Sequence, residues 1–370
     1  MSDSPIRPGK LHFVQALRVF LILLVIAHHA GQPYGPTGGA WPVEDPVSSD
    51  ALLPFFAINA AFFMGFFFLI SGYFLEASFE RKGAWPFLRS RLVRLGIPIL
   101  VLVYCVNGVT SFASSGSQVD FWTFYVRDYL GGGQVEFGPM WFVAHLLVYA
   151  LIYAIWRLAG GRGPDPAVVR APPGHRLVLA YTLGLAIVTF LLRQVFPQDQ
   201  WVVVLWLVPL EPAHLPQYAS LFVIGIIAGR GHWFTTIRTA VAVRSFAIGI
   251  GLFLVLTVMS SPDLELPGFL DPRRLWDFVE SFIAVGMILG LLVLFRRFAS
   301  GAGRGLTRLA GDTYGAYLVH VYVVVGLQIW LLGIDLPALG KFGVVTCGAA
   351  LLSFLIADAL RWLPGFRAVL

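Results

Sequence analysis

Ten windows of about twenty apolar residues recur along this chain, near 12–31, 53–75, 93–113, 140–158, 177–195, 214–230, 244–261, 274–295, 309–332 and 341–360. That length is what an α-helix needs to cross a hydrocarbon core about 30 Å thick. Within such a core every backbone N–H and C=O must be satisfied inside the protein, which a helix does by itself. The expected fold class is therefore all-α: a polytopic transmembrane helical bundle of about ten spans. The stretch Trp201–Pro209 is apolar but too short to cross, and reads as an interfacial or re-entrant piece broken up by Pro209, Pro212 and Pro216. With 58% hydrophobic and only 12% charged residues, against about 25% charged in a soluble domain, a soluble globular chain is excluded.

Loop charge sets the expected orientation. Arg81, Lys82, Arg89, Arg91 and Arg94 fill one connection; Arg157, Arg162, Arg170 and Arg176, then Arg230, Arg238 and Arg244, then Arg296, Arg297, Arg304 and Arg308 fill alternate later ones. The connections between them carry the acids, such as Asp45, Asp120, Glu136, Asp199, Asp263 and Glu265. By the positive-inside rule the basic loops and both termini are cytoplasmic. The layout expected is a cytoplasmic tail at 1–10, one membrane domain over 11–360 and a cytoplasmic tail at 361–370, with the first span retained instead of cleaved as a signal. The loops account for the net charge of +6, so no nucleic-acid partner is inferred. Cys105 and Cys347, both in apolar stretches, suggest neither a metal site nor a disulfide framework.

Within the first window stand Arg18 and His29. At about 100° per residue, eleven residues bring them to within roughly 20° on one helix face, about 16 Å apart along the axis. An ionisable residue inside a membrane span marks a functional site by default. A fixed cation and a titratable imidazole on one stripe suit one elongated ligand, with Arg18 as binding group and His29 as base. The bland alternatives are a snorkelling Arg18 and an interfacial His29. His28 points roughly 80° away from Arg18 and is the weaker candidate.

Elsewhere, Ser71 and Gly72 offer a small surface for close helix packing, and Trp141 suits an interfacial anchor. His145 follows one turn later. Arg89, Arg91 and Arg94 precede Pro98 and are topological, lipid-binding or fit to hold a phosphorylated ligand. Tyr314, Tyr317 and His320 share a face of the ninth window. Asp277, Glu280, Asp312 and Asp358 lie near span ends, which argues against a proton relay. No glycine-rich phosphate loop, zinc-ligand spacing or nucleophile elbow occurs.

Five of these motifs, in order, resemble the acyltransferase 3 family of integral membrane acyltransferases. They are Arg18 with His29; Phe67-Phe68-Leu69-Ile70-Ser71-Gly72; the Arg-rich run from Arg89 to Pro98; Trp141-Phe142; and Tyr314, Tyr317, Leu318 and His320. The resemblance runs from about residue 10 to 360 and extends to the branch with glucan-modifying succinyltransferases. It implies transfer of an acyl group, acetyl or succinyl, from cytoplasmic acyl-CoA to a hydroxyl of a carbohydrate or other envelope or secreted acceptor. It further implies O-acetylation-type chemistry, no tightly bound cofactor, and a multi-pass place in a cell membrane, a bacterial inner membrane. Carried over residue by residue, it makes His29 and Arg18 catalytic, gives Arg18, Arg91, Arg94, Ser71, Tyr317 and His320 to the donor, and gives Trp141 to the acceptor; His145, one turn after Trp141, is taken as an acceptor candidate beside it. A small-solute transporter or exporter is the competing class. It should show Gly/Pro-broken spans at matching positions in two halves, and this sequence does not.

Overall fold

The computed structural model describes residues 11–36, 41–114, 116–133, 135–163, 170–204, 208–261, 264, 267–301 and 303–370. The expected tail at 1–10, together with Asp263 and Glu265, lies outside the described residues.

The long helices are α1 (His12–Gly31), α2 (Leu53–Lys82), α3 (Ala84–Phe112), α4 (Met140–Leu158), α5 (His175–Arg193), α6 (Leu215–Arg230), α7 (Thr239–Met259), α8 (Pro272–Phe298), α9 (Arg304–Leu331) and α10 (Ala338–Leu360). Among the described residues nine are long and apolar enough to cross a membrane. The exception is α6, whose 16 residues make a rod of about 24 Å, short of the hydrocarbon thickness. Expectation and structure also part at α3. Its helix begins at Ala84, so Arg89, Arg91 and Arg94 lie on a helix and not on a connection before one. Pro98 stands between two π-helical stretches, Leu92–Gly96 and Ile99–Asn107, where its missing N–H and its ring disturb the regular ladder. The piece read as interfacial is a two-stranded antiparallel hairpin, β1 (Val202–Val204) on β2 (Val208–Leu210), with Val203 opposite Pro209.

The chain divides into two compact units, residues 1–63, 172–186 and 232–359, and residues 64–171, 187–231 and 360–370. In the first, α1 packs against α8 and α9, and α7 against α8. The α7–α8 contact is close because glycines stand at it: a Cβ on Gly249 would lie 2.6 Å from Phe282 O, and one on Gly286 2.6 Å from Ser245 O. Ala61, Leu256, Val279 and Ile283 form a buried cluster there. Arg308 bridges Asp358, joining α9 to α10. Glu280 and Asp312 are buried, so a place near a span end did not keep these acids in water.

In the second unit, the latter part of α2 crosses α6 through small residues. A Cβ on Gly72 would sit 2.1 Å from Phe222 O, and one on Gly225 2.3 Å from Leu69 O. The packing role expected of Gly72 is the one it has. One end of this unit is held by buried Glu76, which takes a two-point hydrogen bond from Arg230 at 2.6 and 2.7 Å and a third from the Tyr153 hydroxyl at 3.0 Å. Arg157 pairs with Glu80 beside it.

Candidate functional site

Both residues of the α1 stripe meet α9. Arg18 Nη2 donates to Thr313 Oγ1 at 3.3 Å, and the Thr313 hydroxyl donates to Ala310 O at 3.0 Å. Eleven residues further along α1, His29 Nδ1 lies 3.0 Å from Val25 O and 3.2 Å from His320 Nε2. His320 is fully buried, and its Nδ1 faces Tyr317 O. One assignment of protons satisfies all of these contacts. His320 carries its proton on Nδ1 and donates it to Tyr317 O, so its Nε2 is an acceptor. His29 then carries its proton on Nδ1, shared between Val25 O and His320 Nε2. The lone pair of His29 lies on Nε2, the nitrogen suited to taking a proton.

The facing stripe on α9 follows from the same helical arithmetic. Thr313 and His320 are seven residues apart, which brings them to within roughly 20° on one face. The pairings ascend together, 18 with 313 and 29 with 320, so α1 and α9 run parallel. Tyr317 is buried, with its ring 5.4 Å from that of His320.

Two further residues frame His29, and a third, Asn59, engages His28 beside it. The Trp41 ring stacks on its imidazole at 5.3 Å and 25°. Trp41 Nε1 donates to Gln328 Oε1 at 2.8 Å, while Gln328 Nε2 donates to His29 O at 3.0 Å and Ala30 O at 3.1 Å. Asn59 Nδ2 donates to Leu24 O and to His28 Nδ1, each at 3.3 Å. The His28 ring packs among Phe55, Phe56 and Phe63. His28 is thus engaged by an amide and three phenyl rings on a side of α1 away from His320.

None of Thr313, Trp41, Gln328 or Asn59 stood out in the sequence. Gln328 had a legible signal, since it lies eleven residues after Tyr317, the same spacing that links Arg18 and His29. Trp41 had none, because a loop residue has no periodicity.

The other sequence candidates belong to the second unit. Half-buried Ser71 adjoins the Gly72 crossing. The Arg91 guanidinium lies 5.0 Å over the Phe87 ring, and Arg94 Nη2 donates to Leu370 O at 2.9 Å. Trp141 stacks on Tyr218 at 5.4 Å and 26°, and its ring lies 5.6 Å from that of Trp201. His145 is buried, with Nε2 2.7 Å from Pro209 O and no partner at Nδ1. Near the hairpin, Glu211 receives hydrogen bonds from His214 Nδ1 at 2.7 Å and Asp199 N at 2.9 Å, and Arg193 Nη2 donates to His214 Nε2 at 3.0 Å. Burial raises the Glu211 carboxyl, but the His214 hydrogen bond, the Asp199 N–H and the Arg193 charge outweigh it and hold the group below its usual value. Asp199 is raised, by burial first and then by the Glu211 charge. Among the described residues no group of three or more His, Cys, Asp or Glu side chains is placed to hold a metal ion.

Residues 11–358 match the acyltransferase domain of the acyltransferase 3 family. Over 100 residues the chain is 32% identical to glucans biosynthesis protein C of Escherichia coli K12, and to the same protein of strains DH10B and MC4100/BW2952. That stretch is 27% of this chain and 26% of the relative, so the chain matches about a quarter of that protein's length. No solved structure matches it.

Proposed function

The chain belongs to the acyltransferase 3 family of integral membrane acyltransferases, and on that premise we propose that it moves an acetyl or succinyl group from cytoplasmic acyl-CoA to a hydroxyl of a glucan or other envelope carbohydrate. The observation that carries this reading is the setting of His29, whose Nδ1 lies against Val25 O and His320 Nε2, so that the tautomer these contacts satisfy leaves Nε2 to act. His29 Nε2 takes the proton of the acceptor hydroxyl as its oxygen attacks the thioester carbonyl carbon. The tetrahedral intermediate collapses with cleavage of the C–S bond, and the proton on Nε2 passes to the departing thiolate. While His29 is cationic, Val25 O and His320 Nε2 both accept from its Nδ1–H and stabilise it, the part an orienting acceptor plays in a triad. Arg18 stands toward the other end of the stripe and pairs with a donor phosphate through its planar fork. The extended pantetheine arm covers the roughly 16 Å between them.

The acceptor class is supported by the partial similarity to a protein named for glucan biosynthesis. Charge asymmetry of the loops supports cytoplasmic termini, and the partial similarity to an Escherichia coli protein supports a bacterial inner membrane. The parallel course of α1 and α9 supports ten crossings. Seven helices lie between them, and an odd number of crossings there returns α9 to the direction of α1 only if the short α6 crosses too.

The test is kinetic. His29→Ala should reduce acyl transfer by about 10²–10⁴-fold in protein that melts as wild type does, whereas His28→Ala should keep transfer per folded molecule. His320→Ala should fall between. Full activity of purified His29→Ala would overturn the assignment.

A further inference from the structure

The geometry points to Trp41 and Gln328 as positioning residues that present His29 to substrate by one atom in one plane. This rests on the reading of His29 as the base. Gln328 is fully buried on α9. Its carboxamide uses one oxygen lone pair and both N–H bonds: Oε1 accepts from the Trp41 indole, and Nε2 donates to His29 O and Ala30 O. The reversed amide would put an oxygen against two carbonyls and an NH₂ against an indole N–H, so the partners fix its orientation. One side chain thereby holds the main chain of the base-bearing residue and also the ring that covers it. Those carbonyls belong to the last turn of α1, where internal donors run out; His29 O also accepts from the Gln32 N–H.

The loop carrying Trp41 is itself pinned. Lys341, at the start of α10, bonds both carboxylate oxygens of Asp45 at 2.8 and 3.1 Å, and the two side chains are 3% and 0% exposed. Asp45 Oδ1 also accepts from Val47 N at 3.1 Å. Taking two charges out of water is costly, and an apolar pair of similar volume is often as stable. The ion pair does, however, fix register, holding the indole four residues earlier at one place over the imidazole.

The consequence lies in what remains of His29. One ring face is covered by Trp41, and Nδ1 is bonded twice. A ring flipped about its Cβ–Cγ bond would lose both hydrogen bonds. An incoming hydroxyl therefore finds Nε2, in the ring plane, as the proton acceptor. Misplacing a reacting group by about 1 Å can cost 10²-fold in rate, so a clamp on the ring carries weight even though neither residue touches substrate.

Two measurements on the purified full chain test this. The first is carbethoxylation of His29 by diethyl pyrocarbonate, read by peptide mass spectrometry relative to exposed His232 in the same molecules. The second is kcat and KM for acyl-CoA. Trp41→Ala should raise the His29:His232 labelling ratio several-fold and lower kcat by about 10–100-fold, with KM for acyl-CoA within twofold of wild type. Trp41→Phe, which keeps a ring on the imidazole, should restore most of both. Gln328→Leu should resemble Trp41→Ala, and the double variant should be no worse than either single, because the two act through one contact. A partly unfolded protein would raise labelling at buried His145 as well as at His29, and Phe would not rescue it. Unchanged labelling and kcat in Trp41→Ala and Gln328→Leu, with His29→Ala inactive, overturns this inference and leaves the base reading standing. Full activity of His29→Ala overturns both.

Discussion

Arg18 and Thr313 are joined from α1 to α9 at 3.3 Å, so the guanidinium has a partner on a neighbouring helix of its own unit. A hydrogen bond to a charged group is worth about 1.5–3 kcal/mol. Arg18→Ala should therefore weaken acyl-CoA binding by about 10–100-fold, and Arg18→Lys should weaken it too, since the ammonium lacks the planar fork. Thr313→Val, which removes only the hydroxyl, should give a smaller loss in the same direction. Titration calorimetry with acyl-CoA at two salt concentrations reads all three. Equal affinity for wild type and Arg18→Ala would remove Arg18 from the donor site.

Gly72 should tolerate no side chain. Its Cβ would stand 2.1 Å from Phe222 O, a backbone atom that cannot rotate away. Gly72→Ala must therefore push α2 and α6 apart. We expect loss of several kcal/mol, on the scale of overpacking a close-packed core and beyond, seen as a much lower melting temperature or as failure to accumulate. Gly184→Ala, where nothing lies within 4 Å of the added Cβ, should melt within a degree or two of wild type, and it serves as the control.

The charged cluster by the hairpin predicts opposite pH signs for its two carboxylates. Glu211 sits below its ordinary value of 4.5 in the folded protein. Its contribution to stability is complete above 4.5 and is lost as pH falls through the folded value. Asp199 sits above its ordinary value of 3.8. Its contribution is greatest below 3.8 and is lost as pH rises through the folded value. At pH 7, then, Glu211→Gln should lower the melting temperature, and Asp199→Asn should hold or raise it. Asn also suits the left-handed backbone at position 199, where φ is 65°, because Asn and Asp adopt it more readily than other side chains. Thermal unfolding at pH 7 and pH 4 would refute this if the two variants shifted in the same direction.

Topology can be read from single cysteines. In a background lacking Cys105 and Cys347, cysteines at Ser48, Gln118 and Ser300 occupy exposed positions. An impermeant thiol reagent on intact cells should label 48 and 118 and spare 300. Labelling confined to 300 would invert the arrangement, and Arg18 would then lie on the wrong side to meet a cytoplasmic donor.

The amino-acid sequence by itself determined the membrane class, nearly all the helices and the Arg18–His29 stripe. Each is a one-dimensional regularity: apolar length measured against a bilayer, and angle accumulated at about 100° per residue along one helix. It placed α6 within a residue of its observed bounds, Leu215–Arg230, although a rod of about 24 Å is short for a span. Only the tertiary structure decided what the stripe faces. His320 on α9 could be suspected as a donor-side residue, yet its pairing with the His29 imidazole depends on α1 and α9 lying parallel with 18 near 313 and 29 near 320. Trp41, Gln328, and the Asp45–Lys341 pair are separated by about 290 residues of chain. No local pattern couples such positions, since their partnership arises from packing two distant helices and a loop around one buried amide.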